Sequence, residues 1–112
     1  MKSACPVINI QIKSSGEKRT IPGNIIYVGR SSRCTLVFNA LPQHKRISRF
    51  HAILLWDHGG WYLADLNSKN GTLLNGIRIP EGQIILLQEH DIITLASTET
   101  ILYICGALIK PS

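Results

Sequence analysis

Apolar residues along this chain come in short runs, and the first of them alternates. In residues 7–13, Ile8, Ile10 and Ile12 stand at every second position, with Asn9, Gln11 and Lys13 beside them. A period of two puts one set of side chains on one face of an extended strand, so this stretch predicts a half-buried β-strand. Runs rich in Ile, Val, Leu, Thr and Tyr follow at 19–21, 25–28, 35–38, 51–56, 61–65, 72–74, 77–79, 83–87, 91–96 and 100–105. Clusters of Gly, Pro, Asn and Asp separate them, the residues that turns require. The strongest turn signal, Asp57-His58-Gly59-Gly60, predicts a tight hairpin. No stretch announces a helix. About eleven short strands with turns every few residues predict an all-β sandwich or barrel.

Three intervals between the runs are polar. Residues 29–33 carry Arg30 and Arg33, residues 39–49 carry Lys45, Arg46 and Arg49, and residues 66–71 read Leu-Asn-Ser-Lys-Asn-Gly. In a sandwich, loops at one end of the sheets gather into one surface, where function tends to sit.

Composition narrows the class. A length of 112 residues suits one domain, expected over residues 1–112 with its core at about 8–104, and 45% apolar residues exclude wholesale disorder. The longest apolar stretch, 101–109, falls well short of the ~20 residues a membrane span needs, and 1–6 has no apolar segment of a secretory signal. Cys5, Cys34 and Cys105 are few, odd in number and far apart, which fits neither a disulfide framework nor a zinc site. A cytoplasmic protein with no metal and no cofactor is the expectation.

Charge adds a partner class. The net charge is +5, and no acid lies between Glu17 and Asp57, while Lys18, Arg19, Arg30, Arg33, Lys45, Arg46 and Arg49 do. If the loops converge, one end of the sandwich attracts an anion. Nucleic acid fits poorly, because Trp56, Trp61 and the other aromatics do not interleave with the basic residues as a stacking platform would. A hydrolase built on Ser48, His51 and Asp65 or Asp91 lacks a nucleophile elbow.

The ordered set Gly29-Arg30, Ser48-Arg49-Phe50-His51, Ser68-Lys69-Asn70-Gly71-Thr72 and Asn75-Gly76 suits a phosphate. Arg30 and Arg49 bring planar guanidinium forks, Ser48 a hydroxyl and a backbone N–H, and Lys69 a mobile point charge. Asn70, both donor and acceptor, suits a peptide backbone. A phosphoamino acid carries about −1.5 to −2 charge. Each charge-assisted hydrogen bond to it contributes roughly 1.5–3 kcal/mol, so a few decide between phosphorylated and unphosphorylated ligands.

In order and context these motifs resemble the forkhead-associated (FHA) family, whose signature is Gly-Arg, then Ser-x-x-His, then Asn-Gly. The likeness runs from about Ile8 to Ile104. It implies an eleven-stranded β-sandwich that binds phosphothreonine peptides through loops at one end, without catalysis. It implies Arg30 and Ser48 as principal phosphate ligands, Arg49 and Lys69 as assisting residues, and Asn70 as the holder of the ligand backbone. By the same likeness His51 braces the phosphate loop, and Gly29, Asn75 and Gly76 are architectural. The implied partner is a phosphothreonine protein, the substrate of a Ser/Thr kinase. The alternative is the same fold acting as a phospho-independent interaction domain.

The family reads the third residue after the phosphothreonine, through loops near residues 96–100 and the basic loops. With Arg33, Lys45 and Arg46 at that rim, an acidic residue there is expected to be preferred. A phosphopeptide array checks this: Asp at that position should outbind Ala and Lys, and equal binding contradicts it.

Overall fold

The computed structural model describes residues 6–96 and 100–105. Eleven strands are found there: β1 (Val7–Ile12), β2 (Lys18–Pro22), β3 (Ile25–Gly29), β4 (Leu36–Val37), β5 (Ala52–Asp57), β6 (Gly60–Asp65), β7 (Thr72–Leu74), β8 (Ile77–Arg78), β9 (Ile84–Leu86), β10 (Ile92–Leu95) and β11 (Ile101–Ile104). They form two sheets, β2-β1-β11-β10-β7-β8 and β4-β3-β5-β6-β9. All pairings are antiparallel except β3 with β4, which run parallel. The all-β sandwich expected from the alternation is the observed architecture. The segment before Pro6, the loop at 97–99 and the end of the apolar run 101–109 lie outside the described residues.

Alternation explains the core directly. Ile8, Ile10 and Ile12 of β1 turn inward and are buried, facing Ile26, Val28, Leu54 and Leu63 of the other sheet within one core cluster. Trp61 is fully buried, stands edge-on to Trp56 at 5.6 Å, and its Nε1–H donates to the Val7 carbonyl at 3.0 Å. One side chain of the second sheet is thereby tied to the backbone of the first.

The turns follow their residues. His58 (φ 49°) and Gly59 (φ 83°) close the β5–β6 hairpin, and Asn75 (φ 52°) and Gly76 (φ 85°) close β7–β8. Both pairs have the left-handed backbone that two-residue hairpins demand. Asn75 does more than turn. Its Nδ2 donates to Asp91 Oδ1 at 2.9 Å and its Oδ1 accepts the Ile92 N–H at 2.9 Å, which pins the turn to the start of β10.

One expectation needs correction. Residues 39–49 are not loop throughout, because Pro42–Arg46 forms a 3₁₀ turn. Proline at its first turn presets the backbone. Buried His44 accepts the Ala40 and Leu41 N–H groups on Nδ1, each at 3.2 Å, satisfying the turn's entry. Among the described residues no helix is long and apolar enough to cross a membrane.

Trp61 offers a direct test of the inter-sheet core. Trp61→Ala removes a wholly buried side chain and its bond to Val7, and should cost about 3–5 kcal/mol in urea unfolding. A loss under about 1 kcal/mol would mean the two layers do not depend on it.

Candidate functional site

Three loops meet at one end of the sandwich, and backbone hydrogen bonds fix how they meet. The chain leaving β3 donates Arg30 N–H to the Ser48 carbonyl at 3.1 Å and Ser31 N–H to the Arg49 carbonyl at 3.0 Å. This approach requires Gly29. A Cβ there would fall on the Arg49 carbonyl oxygen and lie 2.9 Å from that of Ser48.

The second contact runs through His51, which is fully buried. Its Nδ1 accepts the Ser48 N–H at 3.0 Å, and its Nε2 lies 2.7 Å from the Gly71 carbonyl. An N–H can only donate and a carbonyl only accept, so the ring is neutral, with its proton on Nε2. Burial pushes its pKa below the ordinary histidine value, against the Gly71 hydrogen bond and the Asp65 charge, which raise it. The Ser48 N–H, read from sequence as a phosphate donor, is therefore taken by His51. Ser48 keeps its hydroxyl, whose oxygen accepts the Lys69 N–H at 3.0 Å and whose proton remains free to be donated.

The third loop, 66–71, is shaped by an acid. Asp65 Oδ2 accepts the Ser68 N–H at 2.9 Å, and Oδ1 accepts the hydroxyls of Ser68 and Thr72, both at 2.6 Å. The Ser68 oxygen in turn accepts the Gly71 N–H at 3.0 Å. Burial raises the Asp65 carboxyl pKa, but the Ser68 and Thr72 hydrogen bonds outweigh it, so the group lies below its usual value. Sequence reading placed Ser68 and Thr72 within the motif but gave neither a role of its own. The signal was an Asp three residues ahead of a Ser, a spacing at which side chains bond nearby backbone and hydroxyls.

The result is an open depression of about 430 Å³ lined by Arg30, Lys45, Arg46, Ile47, Ser48, Lys69 and Asn70. A neighbouring one of about 560 Å³ shares Arg30 and Lys45 and extends along residues 39–44. Neither lining contains an acid. Arg30 donates from Nε to the Ile47 carbonyl at 2.9 Å, and the residue is exposed. Asn70 donates from Nδ2 to the Arg46 carbonyl at 2.8 Å. Of the residues expected at the site, Arg30, Ser48, Lys69 and Asn70 stand together. Arg49 is exposed and is not part of that lining, its carbonyl accepting from Ser31 and from the buried Cys34 thiol at 3.2 Å. Lys45 and Arg46, expected only at the rim, line it. Gly29 and His51 lie beneath, and Asn75 and Gly76 lie at the β7–β8 turn.

No Ser–His–Asp chain is wired here. His51 bonds the backbone of Ser48 and not its hydroxyl, and Asp65 faces Ser68 and Thr72. Asp91 is held by Asn75 and Gln88.

Comparison with known proteins agrees on one family. A family model described as FHA domain matches residues 26–96. The chain is 35% identical over 78 residues to the ABC transporter ATP-binding/permease protein Rv1747 of Mycobacterium tuberculosis, a match covering 70% of this chain and 8% of that protein. It therefore spans a small part of that relative's length. Among solved structures it is similar to the FHA domain of an Arabidopsis thaliana hypothetical protein. There the TM-score is 0.78 with 27% identity, over 100% of this chain and 97% of that one. A second match comes from a structural and functional analysis of phosphothreonine-dependent FHA domain interactions. Its TM-score is 0.73 with 27% identity, over 89% of this chain and 96% of that one.

The buried imidazole predicts a pH dependence. Its folded pKa is lowered, so below about 6.5 the unfolded chain takes up a proton that the folded chain resists. Stability is full above that pH and falls as pH drops through the lower folded value; His44, lowered by burial, acts in the same sense. The urea midpoint should therefore be lower at about pH 5 than at about pH 7.5. His51→Ala orphans the Ser48 N–H and leaves the Gly71 carbonyl one partner short, which should cost roughly 2–6 kcal/mol at neutral pH. A variant as stable as the parent contradicts the assignment.

Proposed function

The chain belongs to the forkhead-associated (FHA) family, and from that premise we propose that it binds phosphothreonine segments of partner proteins in the depression lined by Arg30, Ser48, Lys69 and Asn70. The observation that carries this reading is the convergence of those four residues, drawn from three loops, on a cavity without an acidic wall. On this reading the chain forms one domain, over residues 1–112, that works through these loops as a binding module in the cytoplasm on proteins phosphorylated by a Ser/Thr kinase.

Each residue has a chemical part. Arg30, tethered through Nε, offers its terminal nitrogens as a fork for two phosphate oxygens. Ser48, its oxygen already accepting from Lys69, donates its own proton to a third. Lys69 adds a flexible positive charge. Asn70, held at Arg46, keeps its carbonyl oxygen and one N–H for the ligand backbone beside the phosphothreonine. Arg49, outside the cavity lining, would meet a residue flanking the phosphothreonine. Loops that are already fixed lose little freedom on binding, so more of each hydrogen bond appears as affinity. The separate wiring of Ser48, His51 and Asp65 supports binding without hydrolysis.

Calorimetric titration tests the proposal with a degenerate phosphothreonine peptide pool, its phosphoserine form and its unphosphorylated form. Micromolar binding is expected for the phosphothreonine pool and none for the unphosphorylated one. Arg30→Ala should weaken binding by roughly 10- to 150-fold, the loss of one charge-assisted contact of about 1.5–3 kcal/mol. Equal binding by the phosphorylated and unphosphorylated pools, or an unchanged Arg30→Ala, would contradict the reading.

A further inference from the structure

Beside the depression at Ser48, Lys69 and Asn70 lies the larger one of about 560 Å³, and the two share Arg30 and Lys45. Asn39, Ala40, Leu41, Pro42 and His44 complete the lining of the larger, with no acid among them. His44 is only 7% exposed, and its Nδ1 accepts the Ala40 and Leu41 N–H groups. A ring nitrogen that accepts amide protons carries none itself, so the His44 proton sits on Nε2. Among the described residues no group accepts that proton, and the atom is not sealed from solvent. Polar groups on residues this deeply buried are ordinarily paired, so an N–H left over on the wall of a basic depression points to an occupant.

We propose that this second depression takes a second phosphate group, carried by the same ligand chain as the phosphothreonine; the inference rests on the function proposed above. Charge is the first argument. Arg30, Lys45, Arg46 and Lys69 bring four cations to the joined depressions, and neither lining contains an acid. One phosphorylated residue carries about −1.5 to −2, which leaves roughly two positive charges unmatched. A second phosphate balances them.

Donor chemistry is the second argument. The His44 Nε2–H, the Lys45 ammonium and the amide of exposed Asn39 are three donors on one lining. A phosphate ester offers three acceptor oxygens to such a set, where a carboxylate offers two. Spacing follows from the cavities themselves. Neighbouring depressions of this volume stand on the order of 8 Å apart, which an extended chain crosses in two or three residues at about 3.3 Å each. The ligand is therefore a segment phosphorylated twice at that separation, with Arg30 and Lys45 between the two phosphates.

Calorimetric titration tests this with phosphothreonine peptides that carry phosphoserine, glutamate or alanine two or three residues to either side. At one of these positions phosphoserine should tighten binding roughly tenfold or more over alanine, and glutamate by less. His44→Asn keeps a side-chain acceptor for the two amides but removes the Nε2–H, and Leu41→Glu sets an acid in the second depression. Each should lose most of that gain, measured as the ratio of the two peptides on the same variant, so that a general weakening cancels. Leu41 is exposed, so its variant answers even where His44→Asn fails to fold. Equal binding of singly and doubly phosphorylated peptides at every position overturns the inference and leaves the phosphothreonine site standing. A gain that survives Leu41→Glu, or one that glutamate matches in full, overturns it as well. Binding of no phosphothreonine peptide at all removes the proposed function and this inference together.

Discussion

One neutral imidazole holds this binding surface together. His51 joins the Ser48 N–H to the Gly71 carbonyl through opposite sides of its ring. Its own backbone N–H donates to Val28 at 2.9 Å, and its carbonyl accepts from Leu66 at 2.9 Å. Two loops and the strand β3 thus share a single residue with no surface of its own. A buried polar group fully satisfied in this way is rigid, because any movement leaves a partner unpaired in a place water does not reach. The close approach permitted by Gly29 and the Asp65–Ser68–Thr72 network then complete a frame in which the loop backbones have few alternatives.

That frame explains how a depression lined by Arg30, Lys45, Arg46 and Lys69 exists before any anion arrives. Gathering cations with no acid among them is unfavourable through mutual repulsion. The neutral hydrogen bonds beneath offset this, and under the proposed function the opposing charge would come from the ligand. A dianionic phosphate would relieve the repulsion as it makes its own bonds, whereas an unphosphorylated threonine would do neither. On that reading, discrimination between the two follows from keeping carboxylates out of the cavity. Asp65, at the entry to the 66–71 loop, has its oxygens engaged by Ser68 and Thr72.

Much of this was legible in the sequence. Alternation at Ile8, Ile10 and Ile12 gave a face and a strand, Asp57 to Gly60 gave a hairpin, and the motif order brought Arg30, Ser48, Lys69 and Asn70 together. What escaped has physical causes. The Ser48 N–H has the same letter in the sequence whether it meets a ligand or an imidazole, so only the fold shows its partner. The 3₁₀ turn at Pro42–Arg46 depends on His44 reaching back to two amides, a local bond with no periodic trace. Arg46 and Lys45 line the depression while Arg49 does not, because side-chain direction at loop positions depends on the path of the backbone. The exposure of Ile25, Ile84 and Leu86 was hidden for another reason. Ile25 to Val28, Ala52 to Trp56 and Ile84 to Leu87 are continuous apolar runs, and without alternation a run does not say which of its faces is the core.

The account rests on His51 being a neutral clamp protonated on Nε2, and nitrogen NMR of its imidazole examines that directly. At neutral pH the spectrum should show an unprotonated Nδ1 and a protonated Nε2, unchanged when a phosphothreonine peptide is added. A proton on Nδ1, or an imidazolium in either state, would mean that the Ser48 N–H is not held by this ring and that the loops are fixed by something else.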